Sequence, residues 1–139
     1  MSDPIPPPVA RRPEEVLELA SQALSDGDLE AVLAQYEHGA LLRPWAEKSA
    51  SDGDSAGDIL RNLMDLRLPL SVTVRAVLPA RGLALVLAER HMAGRGPDGQ
   101  RVQLTGLGST VVREHPDGTW RIVVDAWGLD GPGAANVRD

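Results

Sequence analysis

The feature that most constrains this fold is a series of three turn motifs in the second half of the chain. They read Pro-Ala-Arg-Gly at 79–82, Gly-Pro-Asp-Gly at 96–99 and His-Pro-Asp-Gly at 115–118. In the Pro-Asp-Gly turns, proline fixes φ, aspartate hydrogen-bonds its own backbone and glycine takes a positive φ. The turns separate apolar or alternating segments, so the pattern predicts a meander of four long antiparallel strands. The predicted strands are 70–78, 83–94, 101–113 and 119–128.

The first half of the chain predicts helices. Pro13 suits a first helical position, and apolar residues at helical spacing predict a helix over 13–25. Asp28 is expected to cap a second helix that ends near Gly39. Its apolar stripe has the spacing i, i+3, i+4, i+7 and consists of Leu29, Val32, Leu33 and Tyr36.

A short apolar strand at 40–43, closed by Pro44, and a third helix follow. Asp54 or Ser55 is the expected N-cap of that helix. Its buried stripe is Ile59, Leu60, Leu63 and Met64. Gly106 and Gly108 lie two apart in the third meander strand, which predicts a bend or a close approach there.

These elements predict an α+β fold in which three N-terminal helices cover one face of a strongly curved antiparallel sheet. At 139 residues, one domain is expected, and we assign it to residues 13–129. Residues 1–12 carry four of the eleven prolines and are expected to form a flexible tail, as are residues 130–139.

Composition excludes several classes of function. The formal net charge of −6 argues against a nucleic-acid partner, since phosphate binding needs a basic face. No apolar run is long enough to span a membrane or to act as a secretory signal, so we expect a cytoplasmic protein. The chain has no cysteine and three scattered histidines, and it lacks a glycine-rich phosphate loop. We therefore expect no metal and no cofactor.

Two segments resemble a known superfamily. Gly-Asp-Leu-Glu-Ala-Val-Leu-Ala-Gln-Tyr at 27–36 and Asp-Gly-Thr-Trp-Arg-Ile-Val-Val-Asp at 117–125 are similar to the nuclear-transport-factor-2-like, or SnoaL-like, proteins. This group includes ketosteroid isomerases, polyketide cyclases and limonene epoxide hydrolases. The resemblance implies a cone with a deep pocket between helices and sheet, and a homodimer through the convex sheet face. The chain also looks similar to small members from antibiotic pathways, including enediyne pathways.

The resemblance can be tested residue by residue. Ketosteroid isomerases have a catalytic acid beside the proline after the second helix, where this chain has Arg43 before Pro44; a cation cannot be the base. Limonene epoxide hydrolases use two aspartates bridged by an arginine. Arg90 and Asp125 match the arginine and one aspartate, but Met92 occupies the position of the other. SnoaL-type cyclases work with one aspartate, a part that Asp125 can take alone.

Each candidate residue also has an alternative structural interpretation. Asp125 follows an apolar run on a strand, so it is either a desolvated pocket acid or an aspartate at a strand end paired with Arg90. If that pair is tight, the aspartate stays ionised and is not a proton donor near neutral pH. Strand alternation places Trp127 and Val123 on the face of Asp125. It places Trp120, Ile122, Val124 and Ala126 on the other face.

Two hypotheses follow for the function. The first is a cofactor-independent cyclase, isomerase or hydrolase that acts on a hydrophobic, polyketide-like molecule, with Asp125 as acid/base and Arg90 as its orienting partner. The predicted ligand-binding residues are Tyr36, Arg43, Trp45, Met92 and Trp127. The second is a non-catalytic binding or carrier module of the same fold. Met92 in place of a second acid favours the second hypothesis, and a polar pair within apolar strands favours the first.

Overall fold

A computed structural model describes residues 6–45, 56–96 and 98–129. The expected cap at Asp54 or Ser55 and the expected tail at 130–139 lie outside the described residues. The helices are α1 (Pro13–Ser25), α2 (Leu29–Leu33) and α3 (Ala56–Asp65). The strands are β1 (Tyr36–Trp45), β2 (Leu70–Ala80), β3 (Leu83–Arg95), β4 (Arg101–Glu114) and β5 (Trp120–Leu129). None of the helices in these ranges is long and apolar enough to cross a membrane.

The five strands form one curved sheet in the order β1-β5-β4-β3-β2. The predicted meander of β2 to β5 is confirmed, and its neighbours pair antiparallel throughout. The sheet is mixed and not antiparallel throughout, because β1 pairs parallel with β5 at one edge. A parallel pair needs a long crossover, and α3 with β2 to β4 lies between these two strands.

The second helix is shorter than predicted. Asp28 caps it as expected, its carboxylate accepting a hydrogen bond from the Ala31 N–H at 3.1 Å. The helix stops at Leu33, and Tyr36 begins β1 instead of lying on a helical stripe. Sheet pairing overrides the helical spacing here, because the Ile122 N–H donates to the Gln35 carbonyl at 2.8 Å and starts the β1–β5 ladder.

A β-bulge in β5 changes the faces predicted for that strand. Val112 pairs with Ile122 but Val111 pairs with Val124, which leaves Val123 as an extra residue. Ile122 and Asp125 therefore lie on the same face, and both are almost completely buried. The prediction that Ile122 faces away from Asp125 and that Val123 shares its face is wrong, because strict alternation holds only without a bulge.

The glycines of β4 are at a close approach of two backbones, as predicted. A Cβ atom added to Gly108 would lie 2.3 Å from the carbonyl oxygen of Ala126, and one added to Gly106 would lie 2.2 Å from that of Gly128. Glycine is required here because β5 folds tightly onto β4 and leaves no room for a side chain. This close contact between the backbones of β4 and β5 fixes the position of the stretch of β5 that carries the candidate site.

The buried face of the sheet carries the core. On β3 every second residue from Ala84 to Met92 is buried, and the helices cover this face with apolar side chains. The helical members of the core are Val16, Leu17, Ala23, Leu24, Ala31, Val32, Ile59, Leu60 and Leu63. Residues 8–10, which the sequence assigns to a flexible tail, also lie against the domain. Ala10 is fully buried and its carbonyl accepts from the Trp120 N–H at 3.0 Å.

The opposite, convex face carries an apolar row that crosses all five strands. Its members are neighbours in register from β1 to β2, in the order Leu41, Val124, Val111, Leu85 and Leu78. Leu41 and Leu78, at the two ends, are each 52% exposed. A continuous apolar band on an exposed sheet face is typical of a contact surface.

The close approach at Gly108 predicts a large effect of a single methyl group. Replacing Gly108 by Ala forces the backbones of β4 and β5 apart, and we expect the free energy of unfolding to fall by about 2 kcal/mol or more. Urea denaturation measures this change. Ser109→Ala, on the exposed face of the same strand, is the control and should stay within about 0.5 kcal/mol of the parent. Equal stability of both variants would contradict the packing described here.

Candidate functional site

Asp125 lies at the centre of the concave face of the sheet. Its backbone is held between Leu42 of β1 and Thr110 of β4, its partners in register on the two neighbouring strands. The bulge at Val123 turns its side chain towards the core, and the residue is 1% exposed. The predicted polar group within apolar strands is therefore a fully desolvated carboxyl group.

Four donors surround the carboxylate of Asp125. Oδ2 accepts from the Tyr36 hydroxyl at 2.6 Å and from the indole Nε1 of Trp127 at 2.8 Å. Oδ1 accepts from the Thr110 hydroxyl at 2.8 Å and from Nη2 of Arg90 at 3.2 Å. A carboxylate has about four acceptor positions. This environment fits the ionised form, because every partner donates.

Arg90 supplies the positive charge that balances Asp125. It is 4% exposed, and its guanidinium also lies over the ring of Trp127, with its central carbon 5.0 Å from the ring centroid. Such a stacked cation is attracted by the face of the indole ring. Among the residues that the structure describes, Nη1 of Arg90 is buried without a hydrogen-bond partner.

The energetics of this pair differ from those of a surface pair. The exposed ion pair of Arg75 and Glu89 is shorter, at 2.8 Å, yet its side chains are 55% and 52% exposed. Water screens that pair, so it contributes little to the free energy of unfolding. Removing one partner of a buried pair such as Arg90–Asp125 instead costs about 3 to 5 kcal/mol, because the other charge remains buried.

Tyr36 connects the cluster to a cavity. A cavity of about 660 Å³ lies between the first half of β1 and the start of α3, and Tyr36 forms part of its wall. The other lining residues are Leu33, Glu37, His38, Gly39, Ala40, Leu41, Leu42, Ala56, Gly57 and Arg121. This volume is within the range of about 300–1,000 Å³ that is usual for small-molecule sites. The hydroxyl of Tyr36 thus reaches Asp125 while the residue borders a space of ligand size.

The structure brings together some of the predicted site residues and separates others. Asp125, Arg90, Tyr36 and Trp127 form one cluster of direct contacts. Met92 is completely buried, two residues along β3 from Arg90 and on the same face.

Two of the predicted ligand-binding residues lie elsewhere on β1. Trp45 is half-buried at the end of the strand, opposite Leu129. Arg43 is exposed and alternates with the buried Leu42, so it lies on the face away from Asp125. Among the residues that the structure describes, the hydrogen bonds and the ion pair of the carboxylate come from other side chains than these two.

Thr110 is the member of the cluster that the sequence reasoning missed. It is completely buried and donates to Asp125. Counting back from the turn at 115–118 would place Thr110 opposite Val124, because the last hairpin starts from the pair Glu114 and Trp120. The bulge shifts the register by one residue, and this shift brings Thr110 opposite Asp125. Within the described ranges, no group of three His, Asp or Glu side chains could hold a metal ion.

Comparison with known proteins identifies the fold. No protein-family model matches the chain, and no curated protein matches it in sequence. Among solved structures, it is similar to a conserved protein from Planctomyces limnophilus with a TM-score of 0.72 and 13% identity, covering 84% of this chain and 91% of that one.

Two enzymes of the same fold are also similar. The Δ5-3-ketosteroid isomerase from a Mycobacterium species has a TM-score of 0.56 at 17% identity, over 88% of this chain and 94% of its own. The epoxide hydrolase/cyclase-like enzyme SalBIII, from pyran ring formation in the polyether salinomycin, has a TM-score of 0.56 at 14% identity, over 84% and 88%. The chain therefore has the nuclear-transport-factor-2-like cone fold, as the sequence predicts.

The environment of Tyr36 predicts an unusual alkaline titration. Burial raises the pKa of Tyr36 well above its usual value of 10.0, and the negative charge of Asp125 and the hydrogen bond to it raise it further. Arg90 and Trp127 act in the opposite direction but are outweighed. Above pH 10 the unfolded chain loses the phenolic proton while the folded chain keeps it. The free energy of unfolding should therefore fall as the pH rises from about 10 towards the folded-state pKa.

This titration can be followed directly because Tyr36 is the only tyrosine of the chain. The near-ultraviolet absorbance of tyrosinate should stay absent from the folded protein past pH 10 and should appear near pH 10 in concentrated urea. Asp125→Asn removes the charge, so its Tyr36 should titrate at a lower pH than in the parent but still above the unfolded chain. Titration of the folded parent near pH 10 would contradict the site geometry.

Proposed function

We propose that this protein binds a hydrophobic, polyketide-like small molecule and acts on it as a cofactor-independent cyclase, isomerase or hydrolase. Asp125 is the acid/base, and Arg90 orients it and balances its charge. The observation that carries the proposal is the buried carboxylate of Asp125, 1% exposed and joined to a cavity wall through Tyr36. Buried ionisable groups beside a cavity are frequent at reaction sites.

The chemistry follows from the charges in the cluster. An ionised carboxylate in a dry site can take a proton from a carbon beside a carbonyl or from a hydroxyl group, which starts a ring closure or an isomerisation. Arg90 remains cationic throughout and keeps the cluster near neutrality before proton transfer. SalBIII, a cyclase-like enzyme, and a ketosteroid isomerase have the same fold, and this supports the reaction class by analogy alone. We extend the proposal to a cytoplasmic step of antibiotic biosynthesis, including the enediyne type.

A non-catalytic binding module is the second candidate function. The observation in its favour is that all four acceptor positions of Asp125 are occupied within the protein. In this case the carboxylate serves to fix Tyr36, Thr110 and Trp127 in place. Met92, a thioether, stands where the epoxide hydrolases have a second acid, which also favours this candidate.

The two candidates differ in the exchange of carbon-bound protons. The test incubates the protein in D2O with aromatic ketones and 1,3-diketones, and measures deuterium incorporation beside the carbonyl by NMR. We expect acceleration by the parent and a loss of at least about 100-fold in Asp125→Asn, the usual scale of general acid–base catalysis. Asp65→Asn, an exposed position on α3, is the matched control. Tight ligand binding with the same exchange in parent and Asp125→Asn would favour the binding module.

We also propose a homodimer through the convex face. Support comes from the apolar row that crosses all five strands in register, with Leu41, Val124 and Leu78 exposed. A second copy of this chain is a suitable partner because a two-fold axis lets the apolar row of one copy meet the same row of the other.

A charge within this row should prevent association. Val124→Glu places a carboxylate beside Val111 and Leu41, and we expect it to convert the dimer into a monomer. Asn62→Glu, on the exposed side of α3, introduces the same charge away from the sheet and should stay dimeric. Sedimentation velocity measures the masses. A monomeric parent, or a dimeric Val124→Glu variant, would contradict this interface.

A further inference from the structure

We propose that Tyr36 is a catalytic residue that passes protons between a ligand in the cavity beside β1 and the carboxylate of Asp125. This inference rests on the proposed acid/base function of Asp125 and names the group that contacts the ligand. Tyr36 is the residue that both lines the 660 Å³ cavity and hydrogen-bonds to the carboxylate, at 2.6 Å.

Direct access of a ligand to Asp125 is restricted. The carboxylate is 1% exposed, and each oxygen accepts two hydrogen bonds from side chains of the protein. A ligand atom could approach it directly only by displacing one of these donors. Thr110 is completely buried, and Trp127 and Arg90 are held against each other. Tyr36 borders the cavity and its hydroxyl already donates to Oδ2, so transfer through this hydroxyl leaves all four donors of Asp125 in place.

The hydroxyl of Tyr36 is suited to relay a proton. Its single O–H group donates to Oδ2 of Asp125, and its oxygen can also accept a hydrogen bond. A ligand O–H or activated C–H can give its proton to Oη of Tyr36 while the phenolic proton moves to Oδ2. The ligand then carries the negative charge, Asp125 is neutral and Tyr36 is a neutral phenol again. The return of the proton to another ligand atom reverses both transfers and restores the carboxylate.

The electrostatics set the direction of this relay. Burial and the nearby carboxylate raise the pKa of Tyr36 well above its usual value, so a free tyrosinate beside ionised Asp125 is disfavoured. Tyr36 therefore does not release its proton to a ligand while Asp125 is charged. The first step is instead the uptake of a proton from the ligand by neutral Tyr36 and ionised Asp125. The preferred ligand is accordingly a carbon acid or a hydroxyl compound that loses a proton in its first step, such as a ketone that becomes an enolate.

The surroundings of the cavity indicate the shape of the ligand. Leu33, Ala40 and Leu42 are apolar lining residues of the cavity, and Arg121 and His38 supply polar groups. Nε of Arg121 is buried without a partner among the described residues. A mainly apolar ketone with a second oxygen at one end fits this distribution, with that oxygen directed towards Arg121.

The test measures the same deuterium exchange beside the carbonyl of aromatic ketones and 1,3-diketones. It compares the parent with three variants: Tyr36→Phe, Asp125→Asn and the combination of both. Phenylalanine keeps the ring in the cavity wall and removes only the relay oxygen. We expect each single variant to lose at least about 100-fold in the exchange rate. The double variant should lose no more than either single one, because two residues that act in series are not additive. Binding of the same aromatic ketones and 1,3-diketones, measured by tryptophan fluorescence, should persist in Tyr36→Phe, and thermal unfolding verifies that this variant is folded.

The outcomes separate this inference from the proposed function. Full exchange by Tyr36→Phe with loss in Asp125→Asn would overturn the relay and leave Asp125 as a directly acting acid/base. Loss in Tyr36→Phe with full exchange by Asp125→Asn would also overturn it, since Tyr36 would then act without the carboxylate. If the losses of the two single variants multiply in the double variant, the two residues act independently, and the relay is overturned. Absence of exchange by the parent would overturn both the relay and the acid/base function.

Discussion

The negative charge of Asp125 is placed where water cannot reach it, and most of the sheet is arranged so that this charge is tolerated. The residue is 1% exposed, and an ionised carboxylate in such a place is very unfavourable unless it is paired and fully hydrogen-bonded. The donors come from β1, β3, β4 and β5 itself. Four strands therefore contribute to one carboxylate, and a shift of any of them would leave part of the charge without a partner.

The irregular backbone features around the site all position Asp125 or one of its hydrogen-bond donors. The bulge at Val123 turns Asp125 inwards and brings Thr110 opposite it. Gly106 and Gly108 allow the backbone of β5 to approach β4 more closely than any side chain would permit. The parallel pairing of β1 with β5 starts at Tyr36, at the position from which its hydroxyl reaches Oδ2. These departures from a regular antiparallel meander are concentrated on β5, which carries the carboxylate, and on β1 and β4, which flank it.

Most of the fold could be predicted from the sequence because its signals are local. The bounds of α1, the turns ending in Gly99 and Gly118 and the existence of four meander strands all follow from short motifs. Tyr36 was misplaced because the helical spacing of α2 continues past its real end, and only pairing with a strand some 90 residues away stops it. Thr110 was missed because a single extra residue in β5 changes the register. Long-range pairing and bulges leave no periodic signal in the chain itself.

The cluster can also be interpreted as purely structural, and the identity of its members bears on that question. A buried ion pair adds little net stability, and apolar side chains of similar size are often equally stable or better. A sheet that needed only a filled core would thus gain nothing from Arg90 and Asp125. Two of the four aromatic residues of the chain, Tyr36 and Trp127, converge on one oxygen of this carboxylate, whereas Trp45 and Trp120 do not. Of these donors, Trp127 is held against Arg90 and has no acceptor of its own. The hydroxyl of Tyr36 can both donate and accept, and the residue has a place in a cavity wall; this asymmetry favours a site that exchanges protons over one that only stores a charge.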